Sequence, residues 1–313
     1  MSFTFQDFPA ARDDLRADVL AGLAARPKAI PPKYFYDEAG CRLFEAICAQ
    51  PEYALCRTEQ ALMAARLPDI ALAVGEVDCI VEPGAGDCTK VRLLLDALRP
   101  THLTVIDIAG GPLAAAAQAV SRDYPQLAVT ALAMDFLSDL EAAAFWLPAD
   151  QRLIYYPGSS IGNFAPDAAA ALLARFRRLA GAGGRLLIGF DLKKDPQRLH
   201  AAYNDAAGIT AAFNLNLLAR LNRELGADFD LTRFRHYAFY NPVAGRIEMH
   251  LVSLAEQDVR VAGERFHFAL GETLHTEHSY KFRCDEFSAI AKGAGWQLAG
   301  EWEQDGFAVQ LYS

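Results

Sequence analysis

The chain has 313 residues, of which 52% are hydrophobic and 22% charged, a composition typical of a globular protein with ample material for a core. Its 39 acidic side chains outnumber its 30 basic ones and give a formal net charge of -9. A surface this acidic repels phosphate backbones and anionic lipids, so nucleic acids and membranes are poor candidates as partners.

The first part of the chain is predicted to form short helices. Residues 13–25 have the pattern of an amphipathic helix with an aspartate near its start. Paired prolines make 31–40 an extended or turn segment. Further helices are predicted over 41–50 and 58–74.

From residue 77 onwards, strands and helices alternate. Apolar runs predict strands over 77–86, 101–111, 127–136, 152–160 and 185–192, with helices over 89–98, 111–125 and 166–184. Alternation with short connections is typical of βαβ units and a parallel sheet.

After Lys193 this rhythm ends. Residues 211–227 have the pattern of a helix that Gly226 stops. Period-two alternation then predicts antiparallel strands over 233–242, 245–254, 264–270 and 273–282, followed by a helix over 285–295 and a hairpin over 296–313.

These elements predict an α/β fold with a Rossmann-like, doubly wound sheet. The sheet would be built from residues 58–192 and completed by 282–313. A second α+β lobe, for substrate binding, would combine 1–57 with 193–281.

The sequence VEPGAGD connects the first parallel strand to a helix, at the point where doubly wound folds bind cofactors. Gly84 and Gly86 allow the backbone to approach a ligand closely. A dinucleotide motif would have a third glycine where this chain has Thr89. Because Glu82 precedes the glycines, the turn suits the amino-carboxylate and sulfonium of S-adenosylmethionine better than a pyrophosphate.

Two further strand ends fit the same cofactor. Asp107 follows the turn by about 20 residues, where a carboxylate accepts hydrogen bonds from ribose hydroxyls. Asp135 fits the adenine amine, and the Phe136 ring would cover the purine. The competing interpretation, a nicotinamide-dependent dehydrogenase, is weakened by the missing glycine and the lack of an evident proton-relay group near a strand end.

The loop YPGSSIGNF follows the fourth strand and by topology would face the methyl group. The Asn163 amide offers both donors and an acceptor to an amino-carboxylate. An ordinary glycine-rich turn is an equally good interpretation of this loop taken alone.

Six segments carry a resemblance that spans nearly the whole chain: KYFYDEAGCRLFEAICAQPEY, VEPGAGDCTK, YPGSSIGNF, AAYNDAAGITAAFNLNLLARLNRELGADFD, RIEMHL and TEHSYKF. With these, the sequence resembles the histidine-specific Nα-methyltransferases of ergothioneine biosynthesis. The resemblance implies a two-lobed class I methyltransferase that uses S-adenosylmethionine. It also implies three methyl transfers to the α-amino group of L-histidine, which give trimethylhistidine (hercynine).

The resemblance also implies roles for individual residues. Tyr36 and Asn163 would be catalytic, with Tyr36 near the reacting nitrogen. The residues implied to bind substrate are Tyr53, Glu277 and Ser279 at the imidazole, Asn163 and Tyr203 at the amino-carboxylate, and Phe44, Thr210, Phe213 and Met249 around the pocket. Those implied to bind the cofactor are Glu82, Gly84, Ala85, Gly86, Lys90, Asp107, Asp135, Phe136 and Tyr156.

The strand TLHTEHSYKF supports the imidazole site, because alternation places Glu277 and Ser279 on one face. Without the resemblance, a salt bridge from Glu277 to Lys281 would be the preferred interpretation. Alternation also places His275 beside Glu277 and His278 on the opposite face. Since no third ligand is apparent, no metal site is predicted.

Two cofactor-side positions depart from the family pattern. Ala85 stands where a serine is common, and Ala109 follows Asp107 where a polar residue is common. Two alternatives to histidine methylation stay open: an N-methyltransferase for another amino acid or aromatic amine, and a non-catalytic sensor that binds S-adenosylmethionine.

The six cysteines lack paired spacing, and the amino terminus has no apolar signal core. No run approaches the ~18 apolar residues that span a bilayer. A cytoplasmic protein is therefore expected. The sequence does not determine the oligomeric state, although a monomer is favoured.

Overall fold

The computed structural model describes residues 2–8, 13–148 and 151–313. The chain divides into two compact units. The first consists of Met1–Ala10, Leu55–Lys193 and Phe282–Ser313, and the second of Ala11–Ala54 and Lys194–Lys281. Among the described residues, no helix combines the length and apolar character that a membrane span needs.

The strands, in chain order, are β1 (Phe3–Asp7), β2 (Lys28–Ala29), β3 (Cys79–Pro83), β4 (His102–Asp107), β5 (Ala128–Ala133), β6 (Arg152–Tyr156), β7 (Arg185–Asp191), β8 (Phe234–Asn241), β9 (Arg246–Ser253), β10 (Gln257–Val261), β11 (Glu264–Phe268), β12 (Thr273–Tyr280), β13 (Leu298–Gln304) and β14 (Phe307–Tyr312).

The α-helices are α1 (Asp13–Ala24), α2 (Glu38–Cys48), α3 (Leu55–Val74), α4 (Arg92–Leu98), α5 (Gly110–Asp123), α6 (Phe136–Ala143), α7 (Pro166–Ala180), α8 (Pro196–Ala202), α9 (Ile209–Leu225) and α10 (Cys284–Gly293). Short 3-10 helices cover Pro32–Phe35, Ala144–Trp146, Ser160–Asn163 and Leu231–Arg233.

The described strands of the first unit form one eight-stranded sheet in the order β1-β5-β4-β3-β6-β7-β14-β13. Neighbours from β1 to β7 are parallel, whereas β14 runs antiparallel to β7 and pairs with β13 in a terminal hairpin. All five residues of β3 are buried, as expected for a strand covered on both faces. The predicted α/β fold with a doubly wound sheet is confirmed.

The first residues belong to this sheet and not to the second lobe, where the prediction placed them. Phe3 of β1 pairs with Val129 of β5, and the parallel register continues to Asp7 opposite Ala133. A strand of five residues carries little periodicity of its own. Its position is decided by a partner more than a hundred residues further along the chain.

The second unit contains a four-stranded sheet in the order β2-β12-β9-β8 and the two-stranded hairpin β10-β11. Helix α9 packs on β8 and β9. In this unit the prediction missed β2, β10 and α8. It also described 31–40 as an extended or turn segment, whereas α2 begins at Glu38 because Asp37 Oδ1 accepts the Gly40 N–H at 2.7 Å.

A bulge in β12 changes which side chains share a face. His275 is opposite His250 and Glu277 is opposite Met249, so Thr276 is an extra residue on this strand. Thr276 is 1% exposed, and its hydroxyl donates to Asn214 Oδ1 at 2.8 Å. The predicted placement of His275 beside Glu277 is therefore wrong, because strict alternation does not continue through a bulge.

Candidate active site

The glycine turn of the first unit lies at the carboxyl end of β3. Gly84 and Gly86 have φ angles of 71° and 55°, which a side chain would strain. The Gly84 N–H donates to the Ile106 carbonyl oxygen at 2.7 Å, and the Gly86 N–H donates to Asp107 Oδ2 at 2.9 Å. Ala85 between them is buried. The turn is thus tied to the end of β4.

Glu82 points to an amino ligand at this turn. It is 1% exposed, and its Oε2 atom has no hydrogen-bond partner among the described residues. Burial raises the pKa of its carboxyl well above the usual range, although the positive charge of Lys90 acts to lower it. A buried carboxyl oxygen without a partner is costly, and a polar group of a ligand, such as an amino group, would supply one. No described heavy atom lies within 4 Å of a Cβ built on Gly86, so the turn also has open space.

Two carboxylates that are predicted to bind the cofactor also accept hydrogen bonds from nearby backbone N–H groups. Asp107 Oδ1 accepts the Ala109 N–H at 3.0 Å, while its other oxygen holds the glycine turn. Asp135 caps α6 by accepting the Leu137 N–H at 2.9 Å. Both carboxylates are therefore held at strand ends, where their predicted roles require them.

The predicted aromatic residues lie beside the turn. A Cβ built on Gly84 would be 4.0 Å from the Phe136 ring. The rings of Phe136 and Tyr156 meet edge to face with centroids 6.2 Å apart. The structure thus brings Gly84, Phe136 and Tyr156 together within the first unit, as the cofactor prediction requires.

An ion pair with one buried partner, which the sequence analysis missed, links the segment after this turn to the loop after β6. Glu59 of α3 is 2% exposed, and its Oε2 lies 2.8 Å from Lys90 Nζ. Its Oε1 accepts the Gly158 N–H at 2.7 Å. The available signal was a carboxylate on the buried stripe of α3, between Leu55 and Leu62.

Asn163 ends the 3-10 helix that follows β6 and is half-buried. The loop before it is well anchored, since Ser159 Oγ accepts the Asp191 N–H at 2.9 Å and Ser160 Oγ donates to the Pro157 carbonyl oxygen at 3.2 Å. Asn163 thus belongs to the same unit as the predicted cofactor residues. Its catalytic role stays a prediction.

The aromatic residues predicted to bind substrate form one cluster in the second unit. Tyr36 contacts Phe44 and Phe213, with ring centroids 5.8 and 5.9 Å apart. Tyr53 contacts Phe44 at 6.4 Å and Tyr203 at 6.0 Å. Helices α2 and α9, together with the ends of the Pro32–Phe35 helix and α8, position these rings.

Glu277 and Ser279 lie on the buried face of β12, at 9% and 4% exposure. Lys281, 1% exposed, donates from Nζ to Ser279 Oγ at 3.0 Å and to the Tyr203 hydroxyl at 3.4 Å. The predicted common face of Glu277 and Ser279 is present, because both residues follow the bulge. Lys281 is thus engaged with these hydroxyls, while its charge also acts on Glu277.

Thr210 and Met249 occupy neighbouring positions of the second unit. Thr210 is buried in the first turn of α9, and its N–H donates to Asp205 Oδ1 at 2.7 Å. Met249 is buried on β9 directly opposite Glu277. The sheet and α9 therefore place both residues next to elements that carry the predicted pocket.

Burial governs the acid–base state of this cluster. It raises the pKa of Glu277 to about 7, although the Lys281 ammonium acts in the opposite direction. It also raises the pKa of Tyr36 well above the usual range, and the Glu277 charge adds to this effect. The Tyr36 phenol therefore stays protonated near neutral pH and can donate a hydrogen bond.

The raised pKa of Glu277 has a measurable consequence for stability. Between its ordinary value of 4.5 and about 7, the folded state holds a proton that the unfolded state has released. The free energy of unfolding should therefore fall as the pH rises through this window, by roughly 3 kcal/mol from this group. Glu277→Gln should flatten that part of a denaturation profile measured from pH 4.5 to 8. An unchanged slope would contradict the assignment.

The fold also assembles a cluster that the sequence analysis did not find. One ligand atom each from Glu248, His250 and His275 lies within 4.8 Å of the others. The bulge turns His275 to this side, and Glu248 and His250 come from the neighbouring strand β9. The expectation that no third metal-ligating group lies near His275 is therefore incorrect.

Comparison with known proteins agrees with this architecture. A family model described as histidine-specific methyltransferase, SAM-dependent, matches residues 15–313. The chain belongs to this family. The histidine N-alpha-methyltransferase of Mycolicibacterium smegmatis is 42% identical over 94% of this chain and 92% of that protein. The one from Mycobacterium tuberculosis is 39% identical over 93% and 91%.

An S-adenosylmethionine-dependent methyltransferase from Clostridium acetobutylicum shares the fold, with a TM-score of 0.50 and 11% identity over 87% of this chain and 98% of that one. At this identity the likeness concerns architecture alone. Family membership makes the chain an enzyme that uses S-adenosylmethionine, and the sensor interpretation is set aside.

Proposed function

We propose that this methyltransferase acts on the α-amino group of L-histidine, and that three successive transfers give trimethylhistidine for ergothioneine biosynthesis. The related histidine N-alpha-methyltransferases and the match to the histidine-specific family support this substrate. The pairing of Glu277 with Ser279 on one buried face is the observation that carries the proposal.

This pair matches the two edges of a neutral imidazole. Because Lys281 donates to Ser279 Oγ, the serine hydroxyl hydrogen remains to be donated to an unprotonated ring nitrogen. The Glu277 carboxylate can accept from the ring N–H. A phenyl or aliphatic side chain would leave both groups buried and unpaired, which penalises the wrong amino acid strongly.

Binding through the ring also suits repeated transfer. Glu277, Ser279 and Tyr53 would hold the imidazole, so the amine can change from primary to tertiary without loss of these contacts. Asn163 and Tyr203 would hold the amino-carboxylate end. Phe44, Phe213, Thr210 and Met249 would complete the pocket wall.

S-adenosylmethionine supplies an activated methyl group when it binds, so the chain's own residues mainly orient the reactants and exclude water. Glu82 would take the amino group of the cofactor, while Asp107, Asp135 and Phe136 would hold its nucleoside. The attacking amine must be unprotonated. Since Tyr36 keeps its proton near neutral pH, we assign it to holding the amine in line and not to accepting its proton.

In the decisive experiment, the purified chain is incubated with S-adenosylmethionine and each of several amino acids in turn. Mass spectrometry then measures the mass of each amino acid. We expect histidine to gain one, two and then three methyl groups, while phenylalanine, tyrosine and tryptophan remain unchanged. Supplying dimethylhistidine should give the same final product. Preferred methylation of tryptophan or tyrosine would overturn the histidine assignment, and accumulation of monomethylhistidine would overturn trimethylation alone.

We also propose a cytoplasmic monomer. No disulfide joins any of the six cysteines, all of which lie in the described part of the chain, and this fits a reducing compartment. Light scattering of the purified chain measures its mass directly, and a value twice that of the 34.2 kDa chain would contradict the monomer.

A further inference from the structure

The four-stranded sheet of the second unit presents histidines on the face opposite Glu277. His250 and His275 are cross-strand partners on β9 and β12, with ring centroids 4.9 Å apart. His278 stacks on His275 at 5.7 Å. Glu248 lies two residues from His250 and therefore on the same face. Tyr237, on the adjacent strand, is 51% exposed, so solvent reaches this side of the sheet.

Two ring nitrogens in this cluster are buried without a partner. His250 Nδ1 and His275 Nε2 make no hydrogen bond among the described residues. Buried imidazole nitrogens normally have a donor or an acceptor, so an atom outside the protein is expected to satisfy them. Nothing in the proposed methyl transfer uses these groups.

We propose that Glu248, His250 and His275 form a binding site for a divalent transition metal, with Zn²⁺ as the reference ion. Two imidazoles and a carboxylate are a ligand set that zinc accepts, with a fourth position left for water. The site is separate from the predicted histidine pocket, because it lies on the other face of β12.

The geometry is close to what a metal ion requires. One ligand atom each from Glu248, His250 and His275 lies within 4.8 Å of the other two. Zinc bonds of about 2.0–2.1 Å separate tetrahedral ligands by roughly 3.4 Å. The widest pair must therefore approach by at most roughly 1.4 Å, which rotation of the His275 and Glu248 side chains can provide.

Neighbouring side chains orient the Glu248 carboxylate. Arg246 and Asn241 donate to Glu248 Oε1 at 2.9 and 3.0 Å, which orients the carboxylate and leaves Oε2 toward His250.

The test uses the full chain after treatment with EDTA, titrated with ZnCl₂ in competition with a chromophoric chelator. We expect one ion per chain, at least a tenfold loss of affinity in His275→Leu and Glu248→Gln, and no change in His267→Leu. His267 is the matched control, because it is exposed on β11 of the same unit and paired with Asp258. Zinc should also raise the melting temperature of the parent chain but not of His275→Leu.

Absence of saturable binding by the parent, or equal affinity in His275→Leu, would overturn the site. Equal loss in His267→Leu would overturn it as well. Should the variants fail to fold by circular dichroism, Co²⁺ bound to the parent decides the question. Nitrogen and oxygen ligation gives weak visible bands, whereas thiolate-to-cobalt charge transfer would assign the ion to cysteines and refute the proposal.

Discussion

Replacing Glu277 with alanine is expected to lower kcat/KM for histidine by about 10²- to 10³-fold while changing the dissociation constant of S-adenosylmethionine less than threefold. The carboxylate lies 9% exposed on β12 and would be the acceptor for the ring N–H. Loss of one partner of a buried, charge-assisted hydrogen bond costs about 3–4 kcal/mol, and each 1.36 kcal/mol is tenfold in rate. Steady-state kinetics and calorimetric titration of the cofactor measure the two quantities separately.

Glu277→Gln is the matched variant. Its amide oxygen can still accept from the ring, although without the charge, so an intermediate loss is expected. If the Glu277→Ala protein loses cofactor affinity and histidine turnover to the same extent, Glu277 does not bind the substrate imidazole.

Glu59→Ala is expected to destabilise the chain by about 3 kcal/mol and to weaken S-adenosylmethionine binding at least tenfold. Removal of this carboxylate leaves Lys90 without its 2.8 Å ion-pair partner and the Gly158 N–H without its acceptor. Breaking one side of a fully buried pair costs about 3–5 kcal/mol, and the lower end applies here because the remaining Lys90 ammonium is partly exposed. Chemical denaturation measures the stability, and calorimetric titration measures the cofactor affinity.

Two variants separate the charge from the general effect of a truncation. Glu59→Gln keeps an acceptor for Gly158 but not the ion pair, so it should lie between the parent and Glu59→Ala. Glu76→Ala removes an exposed glutamate of the same unit and should change neither quantity. A Glu59→Ala protein as stable as Glu76→Ala would show that the ion pair does not hold the turn and the loop together.

These two predictions concern residues that sequence reasoning treated very differently. Glu277 is predicted from the resemblance of the chain to the family and from the alternation that places residues 277 and 279 on one face of a strand. Glu59 was missed because a glutamate in a helix is normally a solvated residue. Only its position among buried apolar neighbours in α3 marks it, and a mixed stripe of this kind is a weak signal without coordinates.

Local sequence patterns predict the alternating core of the first unit and the glycine turn that follows β3. Both depend on local physics: apolar runs of strand length, and glycines at 84 and 86 whose positive φ angles suit few other residues. Such signals lie within a few residues of one another. They can therefore be read without knowledge of the partner strands.

The positions of β1, Glu59 and His275 depend on contacts between distant segments of the chain. The strand β1 depends on β5, and Glu59 depends on Lys90 and Gly158. The bulge at Thr276 depends on pairing with β9 and turns His275 to the face of Glu248. Each of these contacts joins distant segments. The packing and hydrogen bonds that stabilise it therefore leave no signal in the local sequence pattern.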